Sequence, residues 1–290
     1  MTDSLRHTPR LSAVDTLAER YAVDLCQLSP MTATAAGIAG YDTELDDLSP
    51  DGHAARADLA RTTLRALAAT PPANAQDRIT LAAMTERLGL EIERFDAGEH
   101  LRDLNGVASP VQTVREVFDL MGRDGAEAWD GIVQRLTGVS AALVSYQTSL
   151  RQGAHQSLTP AIRQVKAAVR QAERLAAPGS FFDELAAEGG ALPSQSAALG
   201  SALAAAATQA RAAYGQLAGF LTEEIAPLAP LDDAVGRDRY RLASRYFLGA
   251  AVDLDETYQW GLAELSHVVA DMEAVAAQLG GPGTSIERAV

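Results

Sequence analysis

The chain has 290 residues, a formal net charge of −14 and a pI near 4.7, with 47% hydrophobic and 21% charged residues. That is a globular, acidic chain, long enough for one large domain or two ordinary ones. It offers no basic face to nucleic acid, no attraction to anionic lipid, and no apolar run approaching the ~18 residues that span a bilayer.

Alanine makes up about a fifth of the residues and aromatics only 5%. Alanine is the best helix former and β-branched residues are few, so helices are expected throughout. Hydroxyl-proline pairs mark helix starts at Ser29-Pro30, Ser49-Pro50, Ser109-Pro110 and Thr159-Pro160, each fitting a side-chain cap followed by the proline that suits a first turn. Between the marks the apolar period is about 3.6 residues.

The first helix is predicted over 13–27, with Val14, Leu17, Tyr21, Leu25 and Leu28 as its stripe. A short turn follows Pro30 and ends at Gly37. Residues 38–48 read as an ordered loop. Helices are predicted over 50–69 and 75–95, the second opened by Asn74 and Asp77. Residues 98–109 form a connection. Helices follow over 110–121, 126–152 and 160–177. Residues 178–193, punctuated by Gly and Pro, hold one helical turn around Phe181 and Phe182. A long alanine-rich helix covers 194–225, and two more cover 237–247 and 254–279. Gly280 to Gly283 stop the last of these, and Thr284-Ser285-Ile286-Glu287 then reads as a capping box opening a new helix. One turn cannot repay nucleation, so a truncated C-terminal side is expected. No alternating strand, hairpin or fixed-period repeat is visible. The prediction is all-α: a single helical domain over 1–290, a multi-helix array of about nine to eleven helices.

Motifs for chemistry are sparse. The histidines are His7, His53, His100, His155 and His267, and none lies in H-E-x-x-H. Glu264, His267 and Asp271 share one helix face at i, i+3, i+7 and could converge on a metal ion. The commoner meaning of that spacing is a solvated face with a weak His–Asp pair. Glu99-His100, in a connection, reads as polar surface. No G-x-S-x-G elbow or phosphate loop is present, so no catalytic residue is assigned. Cys26 is the only cysteine; it excludes an intrachain disulfide and reads as packing. The acidic run Asp42, Glu44, Asp46, Asp47 lacks the glycine and terminal glutamate of a calcium loop, and suits local turns instead. Trp260 reads as core or as cleft lining, with Gly261 admitting a close helix neighbour. Tyr41, Asp42, Trp260 and Glu264 are the candidates for lining a cleft. The N-terminus lacks a signal-peptide apolar run, and a cytoplasmic location is the expectation.

Four ordered segments carry a family resemblance: GIAGYDTELDDLSPDG (37–52), LNGVASPVQTVREVFDLM (104–121), RQVKAAVRQAERLAAPGSFF (163–182) and RYFLGAAVDLDETYQWGLAELSHVVADMEAVAAQL (245–279). Together they resemble the N-terminal part of the bacterial family catalogued as domain of unknown function 885. The resemblance implies an all-helical protein of roughly twice this length. It also implies an H-E-x-x-P-G-H type sequence in the C-terminal half, giving a peptidase-like zinc hydrolase in which zinc activates water. That motif is absent here, so no zinc ligand carries over, and zinc is expected only in the missing half. Trp260 and Glu264 match the family's W-G-x-x-E-L pattern. The implied role is a helical cleft wall, acting with the missing half on a peptide or small-molecule substrate. The alternative is a non-catalytic helical binding module. An uncovered apolar stripe on 254–279 would favour a homo-oligomer.

Overall fold

The computed structural model describes residues 11–191 and 196–289. Among them no strand forms. The chain folds as two compact units, Met1–Ala234 and Val235–Val290. The first holds α1 (Ala13–Leu28), α2 (Pro30–Ala35), α3 (Pro50–Ala68), α4 (Ala75–Asp96), α5 (Pro110–Glu116), α6 (Gly125–His155), α7 (Ile162–Ala176), α8 (Phe181–Gly190) and α9 (Ala197–Phe220). Short 3₁₀ turns follow α4 at Glu99–Leu101 and α5 at Val117–Asp119, and a π turn at Leu221–Ile225 closes α9. The second holds α10 (Arg237–Leu248), α11 (Leu254–Gly280) and α12 (Ile286–Ala289).

Two cores organise the first unit. The small one joins Val14, Ala60, Leu67 and Leu88 of α1, α3 and α4. The large one surrounds α6 and α9 and takes in α5, α7 and α8. Trp129, Phe118, Tyr146, Phe182 and Tyr214 are fully buried in it, each worth about 1.5–3 kcal/mol of transfer free energy. Their polar tips are satisfied: Trp129 Nε1 donates to the Arg123 carbonyl (3.0 Å), Tyr146 to the Asp103 carbonyl (2.6 Å) and Tyr214 to the Val111 carbonyl (3.1 Å). Small residues set the helix spacing. At Gly189 a Cβ would lie 2.5 Å from the Trp129 ring, and at Gly153 it would lie 2.2 Å from the Leu101 carbonyl oxygen. Gly153 therefore lets the 99–101 turn rest directly on α6.

Polar groups on α6 hold the 38–48 loop. Arg135, fully buried, donates from Nε to the Glu44 carbonyl (2.9 Å) and from Nη2 to the Tyr41 carbonyl (2.7 Å) and the Thr34 hydroxyl (2.9 Å). Its Nη1 lies 3.9 Å from Asp42 and makes no hydrogen bond. Burial pulls the Arg135 pKa below its ordinary value, opposed by Asp42 and Asp46. Ser145 accepts from the Leu48 N–H (3.0 Å), and Ser149 donates to the Leu48 carbonyl (2.6 Å). Within the loop, Asp47 accepts from the Ser49 N–H two residues on, the local turn chemistry expected of such aspartates.

Several helix ends differ from the sequence expectation. Thr159-Pro160 does not open α7, which starts at Ile162 with Ala161 at the cap, because the Thr159 hydroxyl donates to the Leu228 carbonyl instead. Helix α8 runs ten residues rather than one turn; Gly189 serves close packing on Trp129 within it. The predicted start of the 194–225 helix falls outside the described residues, and α9 is capped by Ser196 (3.2 Å to the Leu199 N–H). Thr284 does not cap α12. Its hydroxyl donates back to the Gly281 carbonyl (2.8 Å), and α12 begins at Ile286 with Ser285 before it.

In the second unit Asp253 caps α11 by accepting from the Asp255 and Glu256 N–H groups, and Arg237 grips Asp255 through two bonds of 2.9 and 2.7 Å. No residue of α10 is buried, and of α11 only Ala276 is. No helix among the described residues is long and apolar enough to cross a membrane.

Candidate functional site

A half-open cavity of about 500 Å³ lies in the first unit. One side is built by α1, α3 and α4; the other by the 99–101 turn and the start of α5. Ser49, accepting from the Gly52 N–H, and Pro50 fix where α3 starts. That start puts His53 and Arg56 on one helix face, a turn apart. His100, on the 3₁₀ turn, stacks on Phe95 at 4.4 Å between centroids and 9° between planes. The two imidazoles face each other with centroids 5.0 Å apart.

Arg56 organises this cluster. Its Nη1 donates to the Leu28 (3.2 Å) and Asp47 (3.0 Å) carbonyls, and its Nη2 lies 3.0 Å from His53 Nδ1. A guanidinium can only donate, so His53 Nδ1 must be the acceptor and its proton sits on Nε2. Burial lowers the His53 pKa to about 3, helped by Arg56 and His100 and opposed by Asp47. Burial and then Arg56 lower that of His100 as well, with Glu99 opposing. Both rings are therefore neutral near pH 7. The Nδ1 of His100 is buried and has no hydrogen-bond partner.

The carboxylates of the lining divide. Asp46 accepts from the Ser29 hydroxyl (2.6 Å) and the Met31 N–H (2.9 Å). Glu99 pairs with Arg102 at 2.7 Å. Among the described residues Glu91 makes no hydrogen bond or ion pair; its charge adds to burial in raising the Tyr21 pKa. The cavity serines are also engaged, Ser29 with Asp46 and Ser109 with Gln112 (2.7 Å). Neither is bonded to a histidine.

The residues singled out from sequence fall elsewhere. Tyr41 and Asp42 belong to the loop clamped by Arg135 and do not line this cavity. Trp260 and Glu264 lie on α11; Trp260 is 65% exposed, and a Cβ at Gly261 would meet nothing within 4 Å. The close helix contact read from Trp260-Gly261 is not made within the short second unit. Glu264, His267 and Asp271 are exposed along the same helix. Among the described residues no three His, Cys, Asp or Glu side chains are placed to hold a metal ion. His7 lies outside the described residues. His100 is the clearest correction: it is half-buried rather than polar surface, because the 3₁₀ turn stacks it on Phe95 and buries its Nδ1. His53, Arg56 and Arg135 were missed. The available signal was Arg135 itself, a charge on the α6 stripe beside Ile132, Leu136 and Val139.

An all-helical array in which two cores flank a polar cavity is the class this fold and site define. The chain belongs to the family described as bacterial protein of unknown function (DUF885), which matches it over residues 30–290. It is similar to a crystal structure described as "the putative lipoprotein from Colwellia psychrerythraea", at 13% identity and a TM-score of 0.79. The match covers 96% of this chain and 54% of that one, so the chain spans about half the length of this neighbour. No match is found among curated proteins.

Proposed function

We propose that this chain is the helical cleft-wall portion of a peptidase-like zinc hydrolase, shaping access for a peptide or small-molecule substrate. The observation that carries the reading is the overlay: nearly all of this chain corresponds to half of a longer protein. The family resemblance to proteins with an H-E-x-x-P-G-H type sequence supports the reaction class. The described residues do not fit a zinc site, since no three ligands converge and Arg56, a cation, already occupies the Nδ1 of His53. In this reading the zinc ligands and the catalytic base lie beyond these residues. The chain's own contribution is binding and positioning.

Elemental analysis tests the proposal. The purified 290-residue chain should carry far less than one zinc per chain and cleave no peptide, while a longer natural form should carry about one. One tightly held zinc in the 290-residue chain overturns the reading. A second reading, a non-catalytic binding module, is favoured by the cavity itself, in which neither serine is bonded to a histidine. A longer natural form that neither holds zinc nor hydrolyses peptides would select it.

A further inference from the structure

The cavity carries a more specific assignment, independent of the cleft-wall reading. Its lining holds four carboxylates, Asp46, Glu91, Glu99 and Asp103, against two guanidinium groups, Arg56 and Arg94. The two histidines add no positive charge near neutral pH. Arg56 is not an anion receptor: it is committed to two backbone carbonyls and to His53. Among the described residues the lining carboxylate with no hydrogen bond or ion pair is Glu91; its charge acts at longer range on the Tyr21 phenol and on Arg56. The lining is therefore negative, in a half-enclosed space where such a field concentrates cations.

Size and wall chemistry decide which cation. A bare metal ion would need converging ligands, and among the described residues no three are placed to supply them. Leu25, Leu48, Ala57, Ala60 and Pro110 instead give the space an apolar wall, and about 500 Å³ is the volume of a small-molecule site. We propose that this cavity binds a small organic cation, an alkylammonium group that pairs with Glu91 while its hydrocarbon part lies along the Leu25–Ala57–Ala60 wall. His53 Nε2–H and the Tyr21 hydroxyl are left to hydrogen-bond polar atoms elsewhere on the ligand.

The test uses the full 290-residue chain and three five-carbon probes: pentylamine, pentanoate and pentanol. Ring-proton resonances of His53 and His100 report occupancy by NMR. Pentylamine should shift them saturably and bind about fivefold more tightly than either other probe, the upper end for one solvent-exposed charge pair. Glu91→Gln, an isosteric change at an exposed residue, should remove most of that preference and leave pentanol unchanged. Glu173→Gln, at an exposed position of α7, makes the same change in net charge away from the cavity and should have no effect. Three outcomes each overturn the assignment: pentanoate binding as tightly as pentylamine, Glu91→Gln binding pentylamine undiminished, or Glu173→Gln weakening it equally. A response to pentylamine that never saturates overturns it too.

Discussion

Neutral His53 makes acid stability a direct test of the site's electrostatics. In the unfolded chain its imidazole returns to a pKa of about 6.5; in the fold burial, then Arg56 and His100, hold it at about 3. The folded pKa is the lower one, so the native state binds fewer protons. The stabilisation is present above the unfolded value and is lost as pH falls from about 6.5 toward 3. Between about pH 7.5 and pH 5 one such site costs about 2 kcal/mol. His100, shifted in the same direction, adds to the loss, and its unpartnered Nδ1 gains no acceptor on protonation. The other charges facing the pair, Asp46, Asp47, Glu91, Glu99 and Arg56, are present in wild type and variant alike and cancel in a difference. The variant is His53→Gln, whose side-chain carbonyl can still accept from Arg56 but cannot ionise. Urea unfolding of both proteins at the two pH values should show the variant losing about 2 kcal/mol less than wild type on acidification. Equal pH dependence in the two proteins refutes the view that His53 is held neutral.

Two further outcomes follow from the packing. Arg135→Met removes the donors to the Tyr41 and Glu44 carbonyls and to Thr34; losing these charge-assisted bonds to part-buried acceptors should cost about 3 kcal/mol. Thermal unfolding measures this, and hydrogen exchange should show the loss of protection concentrated in residues 38–48; uniform loss along α6 would contradict the clamp. Leu262, Leu265, Val269 and Met272 of α11 are each more than a third exposed, so the 290-residue chain should bind an apolar fluorescent dye or self-associate. Leu265→Glu with Met272→Glu should abolish that behaviour, and a strictly monomeric chain with no dye signal refutes it.

Helices were legible because their signals are local. Ser49, Asn74 and Asp253 cap as their side chains predict, and Val165, Ala168 and Ala172 on α7 show the stripe that periodicity marks. Where a capping residue found a distant partner the local reading failed, as at Thr159 with Leu228. Glycine misled in the same way: Gly189 looked like a helix stop but is helical, because only a missing Cβ admits Trp129. The site was illegible for a related reason. His53 and His100 sit in segments with no motif around either, and become a pair only when the 99–101 turn docks on α6 at Gly153. Arg135 was visible as a charge on an apolar stripe, but its acceptors are carbonyls of residues 41 and 44, which carry no side-chain signature.

The same fastenings explain why a cavity persists in a chain otherwise packed with alanine. An apolar space between α1, α3 and α5 would close, since small side chains let helices approach. Here the walls are tied to one another by charged groups. Arg56 on α3 holds the Leu28 carbonyl at the end of α1 and the Asp47 carbonyl of the loop. Asp46 of that loop holds Ser29 and the Met31 N–H at the start of α2. Closing the space would break one of these bonds, and a hydrogen bond to a charged group is worth about 1.5–3 kcal/mol. The cavity is therefore set before any ligand arrives, which spares a ligand the cost of ordering its own site. It also leaves the Glu91 carboxylate, which takes no part in the fastening, to meet a ligand's charge.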